Sequence, residues 1–182
     1  MRNVPGFWQS TPRKLLVCLF AILAAACFNA GCDSTDCTGA YDGGPIGRLI
    51  SLTGCKTWQA EADTTVTPSN LDCIKWHHDG EGLLLITHVN AGFNCCPTID
   101  VDAYVEGDTI FIKEHEIEGL CDCICLFDLY YDFHGLETGV YRVSVSEECL
   151  GDGDEPLDFI MDLTAWPSGS YCVERDHYPW GH

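Results

Sequence analysis

Five cysteines and one histidine carry the strongest chemical signal in this chain. The stretch "CDCICLFDLYYDF", residues 121–133, puts Cys121, Cys123 and Cys125 at every second position, and "HVNAGFNCCP", residues 88–97, supplies His88, Cys95 and Cys96. Thiolates and imidazole are ligands for copper or zinc, while the same thiols in an oxidising compartment become disulfides. On a regular strand the three alternate cysteines share one face, where neighbours lie roughly 7 Å apart. A disulfide needs Cβ atoms about 3.8 Å apart, so the triplet cannot pair internally. Its partners must come from other segments, Cys95 and Cys96 first among them. Structural zinc sites usually take paired cysteines two to four residues apart on a tight turn, and no C-x-x-C occurs here. Disulfides are the expected outcome. Cys95, Cys96, Cys121, Cys123 and Cys125 with His88 remain the alternative copper or zinc set.

Other groups able to do chemistry are weaker. His77, His78 and Asp79 adjoin a turn, but adjacent residues of a strand point to opposite faces. The "GDGDEPLD" segment gathers Asp152, Asp154, Glu155 and Asp158 around glycines, oxygen ligands of the kind calcium takes, without EF-hand spacing. Glu114 and Glu116 extend an apolar strand face and are expected to be the wet end of a strand that outruns its sheet. No Gly-x-Ser-x-Gly elbow, Walker loop or dinucleotide glycine loop is present, and each would be needed for its chemistry. A non-catalytic protein without cofactor is expected.

The N-terminus decides the redox compartment. Arg2, Arg13 and Lys14 precede the apolar run "LLVCLFAILAAA" with no acidic residue between, the layout of a secretory signal and too short to span a bilayer comfortably. The "LAAAC" ending at Cys27 resembles the lipobox of bacterial lipoproteins. That resemblance implies cleavage after residue 26 and acylation of Cys27, a palmitate-type anchor to the membrane; cleavage at an ordinary site would instead release a free secreted product. Cys32 is the poorer lipidation candidate because Asn29 sits where the motif wants a small or apolar residue. Residues 1–26 are thus a signal peptide and 27–45 a lipidated, Gly/Ser/Asp-rich tether, leaving 46–182 as one domain.

Of thirteen cysteines, Cys18 leaves with the signal and Cys27 takes the lipid. Cys32 and Cys37 fall in the tether, and Cys55, Cys73, Cys95, Cys96, Cys121, Cys123, Cys125, Cys149 and Cys172 are the disulfide candidates of the domain. Eleven is odd, so at least one thiol is free, pairs between chains or serves another purpose. Removing the three basic residues of the signal from nine Lys+Arg leaves six against 28 Asp+Glu, a net charge of −22. Such a surface excludes nucleic acid and adhesion to anionic lipid as partners, since both need basic residues.

Period-two alternation runs through the rest of the chain. "GRLISLTGCKTW" reads as a first strand. "DCIKW" and "LLLITHVN" flank an Asp79-Gly80 reversal, and "TIDVDAYV" and "TIFIKEHEI" flank "EGD". A two-residue Gly107-Asp108 turn sets Val105 opposite Ile110, Tyr104 opposite Phe111, Asp102 opposite Lys113 and Asp100 opposite His115. "PLDFIMDL" and "SGSYCVER" alternate likewise, and no helical periodicity competes. The Leu136–Gly139–Tyr141 spacing in "GLETGVYRVSV" resembles the L-x-x-G-x-Y-x-V-x-V signature of prealbumin-like and other immunoglobulin-like sandwich modules. About eight short strands predict an all-β, antiparallel, disulfide-stapled β-sandwich.

Taken together, H-x-N-x-x-F-N-C-C-P, C-x-C-x-C-x-F-D-L and the tail "YCVERDHYPW" resemble a group of cysteine-rich exported bacterial proteins over roughly residues 70–180. The resemblance implies export to the cell envelope and a compact β domain, and it carries no activity. The expectation is a cell-envelope lipoprotein, held by lipid on the periplasmic or cell-surface side, binding a protein or glycan partner or serving structure. The alternative is a metal-binding envelope protein using the clustered cysteines.

Overall fold

Branched and aromatic residues alternating with polar ones favour pleated, half-buried strands, and these stretches do form strands. The computed structural model describes residues 44–56, 66–118 and 121–181. The signal, Cys27, Cys32, Cys37 and all but the last two residues of the tether lie outside them. Nine strands are described: β1 (Ile46–Leu52), β2 (Leu71–His78), β3 (Leu83–Asn94), β4 (Thr98–Glu106), β5 (Thr109–Glu118), β6 (Ile124–His134), β7 (Val140–Ser146), β8 (Asp158–Asp162) and β9 (Ser168–Glu174). The domain is all-β, with no helix among the described residues.

The strands form one sheet in the order β8-β7-β5-β4-β1-β6-β3-β2-β9, nearly closed into a barrel. The expected purely antiparallel arrangement is corrected to a mixed one, because β5 and β7 pair in parallel. The reason lies in the connection. β6 leaves β5 for the slot between β1 and β3, and β7 then returns to the free edge of β5 in the same direction, a crossing that no hairpin could supply. Side chains close the seam between the edge strands: Phe159 of β8 stacks on Tyr171 of β9 at 4.4 Å between centroids and on Trp76 of β2 at 5.7 Å.

The β4–β5 hairpin has the register its sequence dictates, with Val105 opposite Ile110, Tyr104 opposite Phe111, Asp102 opposite Lys113 and Asp100 opposite His115. Gly107 takes the left-handed conformation (φ 59°) that the tight turn requires. Tyr104 and Phe111 stack at 5.2 Å, and the Lys113 ammonium lies 5.2 Å from the Tyr104 ring centre. At the β6–β7 corner, Leu136 is buried and the Tyr141 hydroxyl donates to the Glu137 carbonyl at 2.9 Å, so the tyrosine bonds back to its own corner.

Four disulfides staple the described residues: Cys55–Cys125, Cys73–Cys172, Cys95–Cys123 and Cys96–Cys121. Cys73 and Cys172 are direct cross-strand partners of β2 and β9. Two expectations need correcting. Cys121 and Cys123 do not share a buried strand face with Cys125; β6 begins only at Ile124, and both precede it on an exposed approach where the "NCCP" turn can reach them. Cys149 is the free cysteine among the described residues. Nine candidates leave one over, and this one packs half-buried beside Gly92. Burial, reinforced by the carboxylates of Glu116, Glu148 and Glu147, pushes its thiol up to about 11, which makes it unreactive.

Candidate functional site

Five strands carry inward-facing apolar rows, and each row ends in a polar residue. Ile74 is followed inward by Asp72, Leu84 and Ile86 by His88, Ile110 and Ile112 by Glu114, Val143 and Val145 by Glu147, and Val173 by Arg175. The period of two that builds the hydrophobic core therefore delivers five ionisable side chains to one place. Asp72 and His88 are 0 % exposed, and Glu114 and Arg175 are 1 % exposed. The Glu147 side chain retains 3 %. Tyr131 of β6, fully buried, joins them.

His88 is the centre. Its Nε2 lies 2.8 Å from Asp72 Oδ1 and its Nδ1 2.8 Å from Glu114 Oε1. Both ring nitrogens face carboxylate oxygens, so both donate and the ring is an imidazolium. Burial opposes that charge, but Glu114 and Asp72 outweigh it and hold the His88 pKa well above its usual value. The Tyr131 hydroxyl donates to the same Glu114 oxygen at 2.6 Å. Arg175 donates through Nε and Nη2 to Asp72 Oδ2 at 3.1 and 2.8 Å, and through Nη2 to Glu147 Oε2 at 3.2 Å. Burial raises Asp72, yet His88, a hydrogen bond from the Glu147 carboxyl and Arg175 more than offset it and leave its pKa below its ordinary value. Glu147 behaves oppositely. Burial and the nearby Asp72 charge push it up to about 9 despite His88 and Arg175, so it is protonated at neutral pH. Two positive and two negative charges then balance, as a buried cluster needs.

Two carboxylate oxygens of this cluster, Glu114 Oε2 and Glu147 Oε1, are buried without a hydrogen-bond partner. Glu147 Oε1 lies 3.7 Å from His88 Nε2. The ligand atoms of Asp72, His88 and Glu147 all fall within 4.8 Å of one another.

Next to the cluster, β3 bulges between Val89 and Ala91, and Asn90 there adopts φ 67°. Every polar group of Asn90 is used. Its N–H donates to Asp128 Oδ1, its amide NH2 to the Pro68 and Leu71 carbonyls, and its Oδ1 accepts from Lys56 Nζ at 2.7 Å. The Trp180 indole donates to its carbonyl at 2.8 Å. Trp180 is fully buried, and a Cβ on Gly92 would meet its ring at 2.6 Å and Cys149 Cβ at 3.2 Å. Gly92→Ala is therefore expected to destabilise the domain by about 1–3 kcal/mol, the usual cost of overpacking, and urea unfolding measures it. An unchanged midpoint would mean that the tail is loosely docked.

The pH dependence of the ion-free protein follows from two raised groups. His88 titrates near 6.5 when unfolded and well above that when folded; Glu147 moves from 4.5 to about 9. Folding therefore binds protons that the unfolded chain has lost. The contribution of His88 is complete below about pH 6.5 and that of Glu147 below about pH 4.5, and both are lost as pH rises through the folded values. Above about pH 6.5 stability should fall as pH rises, Glu147 contributing at most about 1.4 kcal/mol per pH unit up to about pH 9 and His88 acting in the same direction. Asp72, shifted the other way, contributes loss only on acidification below its unfolded value of 3.8. Unfolding curves at pH 6, 7.5 and 9 test the sign; stability that rises over this range contradicts the assignment.

The sequence-predicted sites scatter. Cys95, Cys96, Cys121, Cys123 and Cys125 are all spent in disulfides, which leaves no thiolate for the alternative copper or zinc set, and His88 turns to carboxylates instead. Glu114 is corrected from a wet strand end to a buried partner of His88, while Glu116 stays half-buried and accepts from the Asn94 N–H. His77 is exposed and His78 buried, on opposite faces. His78 is satisfied, Nε2 by the Leu136 carbonyl at 2.9 Å and Nδ1 by the Gly80 N–H at 3.1 Å. It borders an open concavity of about 400 Å³ with Glu81, Glu137 and Thr138. In the "GDGDEPLD" segment the carboxylates have separate partners: Asp154 accepts from the Gly151 N–H, Glu155 from the Tyr171 hydroxyl, and Asp158 from Arg142.

Asp72, Glu147 and Arg175 were not singled out by their spacing. The signal that finds them is a polar residue two positions beyond a buried row, as in Val143-x-Val145-x-Glu147. The motif residues His88, Asn90, Asp128, Arg175 and Trp180 meet around this one cluster. Comparison of the chain with family models, with curated proteins and with solved structures finds no match.

Proposed function

We propose that the chain is a bacterial cell-envelope lipoprotein, exported by its N-terminal signal and anchored through an acylated Cys27, whose β domain has a non-catalytic binding or structural role. The observation that carries this reading is the set of four disulfides in the described residues, since bridges of this density belong to oxidising, extracytoplasmic compartments. The net charge of −19 keeps the domain off anionic headgroups and favours a protein or glycan partner. In architecture the domain is an immunoglobulin-like sandwich curled toward a barrel. In this reading β8-β7-β5-β4 make one layer and β1-β6-β3-β2-β9 the other; the thin β1–β4 pairing, in register only at Ile46–Tyr104, supports that division of the sheet.

Growth of an expressing bacterium with an alkyne-tagged fatty acid tests the anchor. The wild-type chain should take up label and sediment with membranes, and Cys27→Ser should lose both properties. An unlabelled wild-type chain, or a Cys27→Ser chain that keeps its label, rejects the proposal.

A further inference from the structure

We propose that Asp72, His88 and Glu147 form a binding site for one Zn²⁺ ion inside the barrel. Asp72 Oδ1, His88 Nε2 and Glu147 Oε1 lie within 4.8 Å of one another, with Nε2 2.8 Å from the first oxygen and 3.7 Å from the second. Zinc bonds of about 2.0–2.1 Å in a tetrahedron keep ligand atoms roughly 3.3 Å apart, and both nitrogen–oxygen separations are within about half an ångström of that spacing. One nitrogen and two carboxylate oxygens suit zinc, and a fourth position stays open.

Independent of this grouping, Glu147 Oε1 is buried and no N–H or hydroxyl donor reaches it; in the ion-free protein only the carboxyl's own proton, shared with Asp72, meets that need. As a carboxylate it can be satisfied there only by a proton or a cation. The outer groups are those that metal-bound histidines and carboxylates need. His88 Nδ1 donates to Glu114 Oε1, which Tyr131 also holds, fixing the ring with Nε2 toward the ion. Arg175 holds the opposite oxygens, Asp72 Oδ2 and Glu147 Oε2, leaving Oδ1 and Oε1 free to turn inward. Charge closes as well. Three carboxylates (Asp72, Glu114, Glu147) face Arg175 and one divalent ion, a neutral sum. Binding releases the proton of His88 Nε2 and that of the Glu147 carboxyl, both to solvent, so the ion replaces two protons at constant charge.

The experiment uses the full chain, purified oxidised in mild detergent, stripped with chelator and equilibrated for a day with ZnCl₂. Metal analysis after gel filtration should find about one zinc per chain, and the melting temperature should rise with zinc concentration. Glu147→Gln mimics the protonated side chain and should fold with a disulfide pattern and ion-free melting temperature near those of the wild type. Its zinc affinity should fall at least about 100-fold, the upper end of what losing an outer hydrogen-bond partner costs. His115→Asn, which removes an exposed imidazole near Glu148, should bind as the wild type does. Co²⁺ in place of zinc should give visible bands without thiolate charge transfer. Absence of stoichiometric zinc, equal affinity in Glu147→Gln, loss of binding in His115→Asn, or a thiolate band would each overturn the proposal.

Discussion

Arg175→Met is expected to destabilise the oxidised domain by about 3–5 kcal/mol, the cost of removing one partner of a buried ion pair. The guanidinium and the Asp72 carboxylate are both 0 % exposed and lie 2.8 Å apart. Methionine approximates the stem but removes the two donors to Asp72 Oδ2, the donor to Glu147 and that to the Glu155 carbonyl. Packing over the Trp180 ring, 5.7 Å from the guanidinium, goes too. Arg48→Met is the control. Arg48 binds Asp132 at 2.7 Å, an equally short pair, but its side chain is 70 % exposed, and water replaces what the mutation removes. Urea unfolding at pH 6 with disulfides intact compares the two. If Arg48→Met costs as much as Arg175→Met, distance rather than burial sets the energy, and the account of the cluster fails. Adding Asp72→Asn to Arg175→Met should recover part of the loss, since it removes the excess negative charge that the lost guanidinium leaves in the cluster.

The second large effect concerns the cross-link between β2 and β9. Removing Cys73–Cys172 as a paired alanine variant is expected to cost about 4–5 kcal/mol, because the bridge closes a sequence separation of 99 residues and loop-closure entropy grows with the logarithm of length. Cys55–Cys125 and Cys95–Cys123 shorten the covalent path between these cysteines only modestly, leaving tens of residues in the loop. Cys96–Cys121 spans 25 residues, but the neighbouring Cys95–Cys123 bridge already closes that loop to a covalent path of a few residues, so its removal should cost about 2 kcal/mol on the same model. Against a total stability of about 5–15 kcal/mol, the first loss is the one that threatens folding. The ordering is the test. A larger cost for the Cys96–Cys121 pair would mean that local contacts at the "NCCP" turn, not chain entropy, dominate.

Much of this architecture is written in local patterns. The β4–β5 register follows from one turn and one alternation, and the corner tyrosine from the Leu136–Gly139–Tyr141 spacing. That the cysteines at 121, 123 and 125 must bridge to other segments, Cys95 and Cys96 first among them, follows from distance, because alternate cysteines on an extended chain cannot reach each other; which of the three these two take was decided by where β6 begins. The burial of Glu114 was not legible. Two residues past Ile112 is equally the wet end of a strand and the floor of a barrel, and only the neighbours on β3 and β6 distinguish them.

Alternation is a property of one strand, and the sequence by itself therefore determined the strands, their inward faces and the excess of thiols that an oxidising compartment would bridge. Which strands lie side by side is a property of pairs far apart in the chain. Asp72 and Arg175 are separated by 103 residues and His88 and Glu114 by 26. They meet only because β7 returns parallel to β5 and β9 pairs with β2. Buried together, carboxylates, imidazolium and guanidinium satisfy one another; apart, each would read as an ordinary surface charge. The tertiary structure alone decided that five polar ends of apolar rows share one dry site.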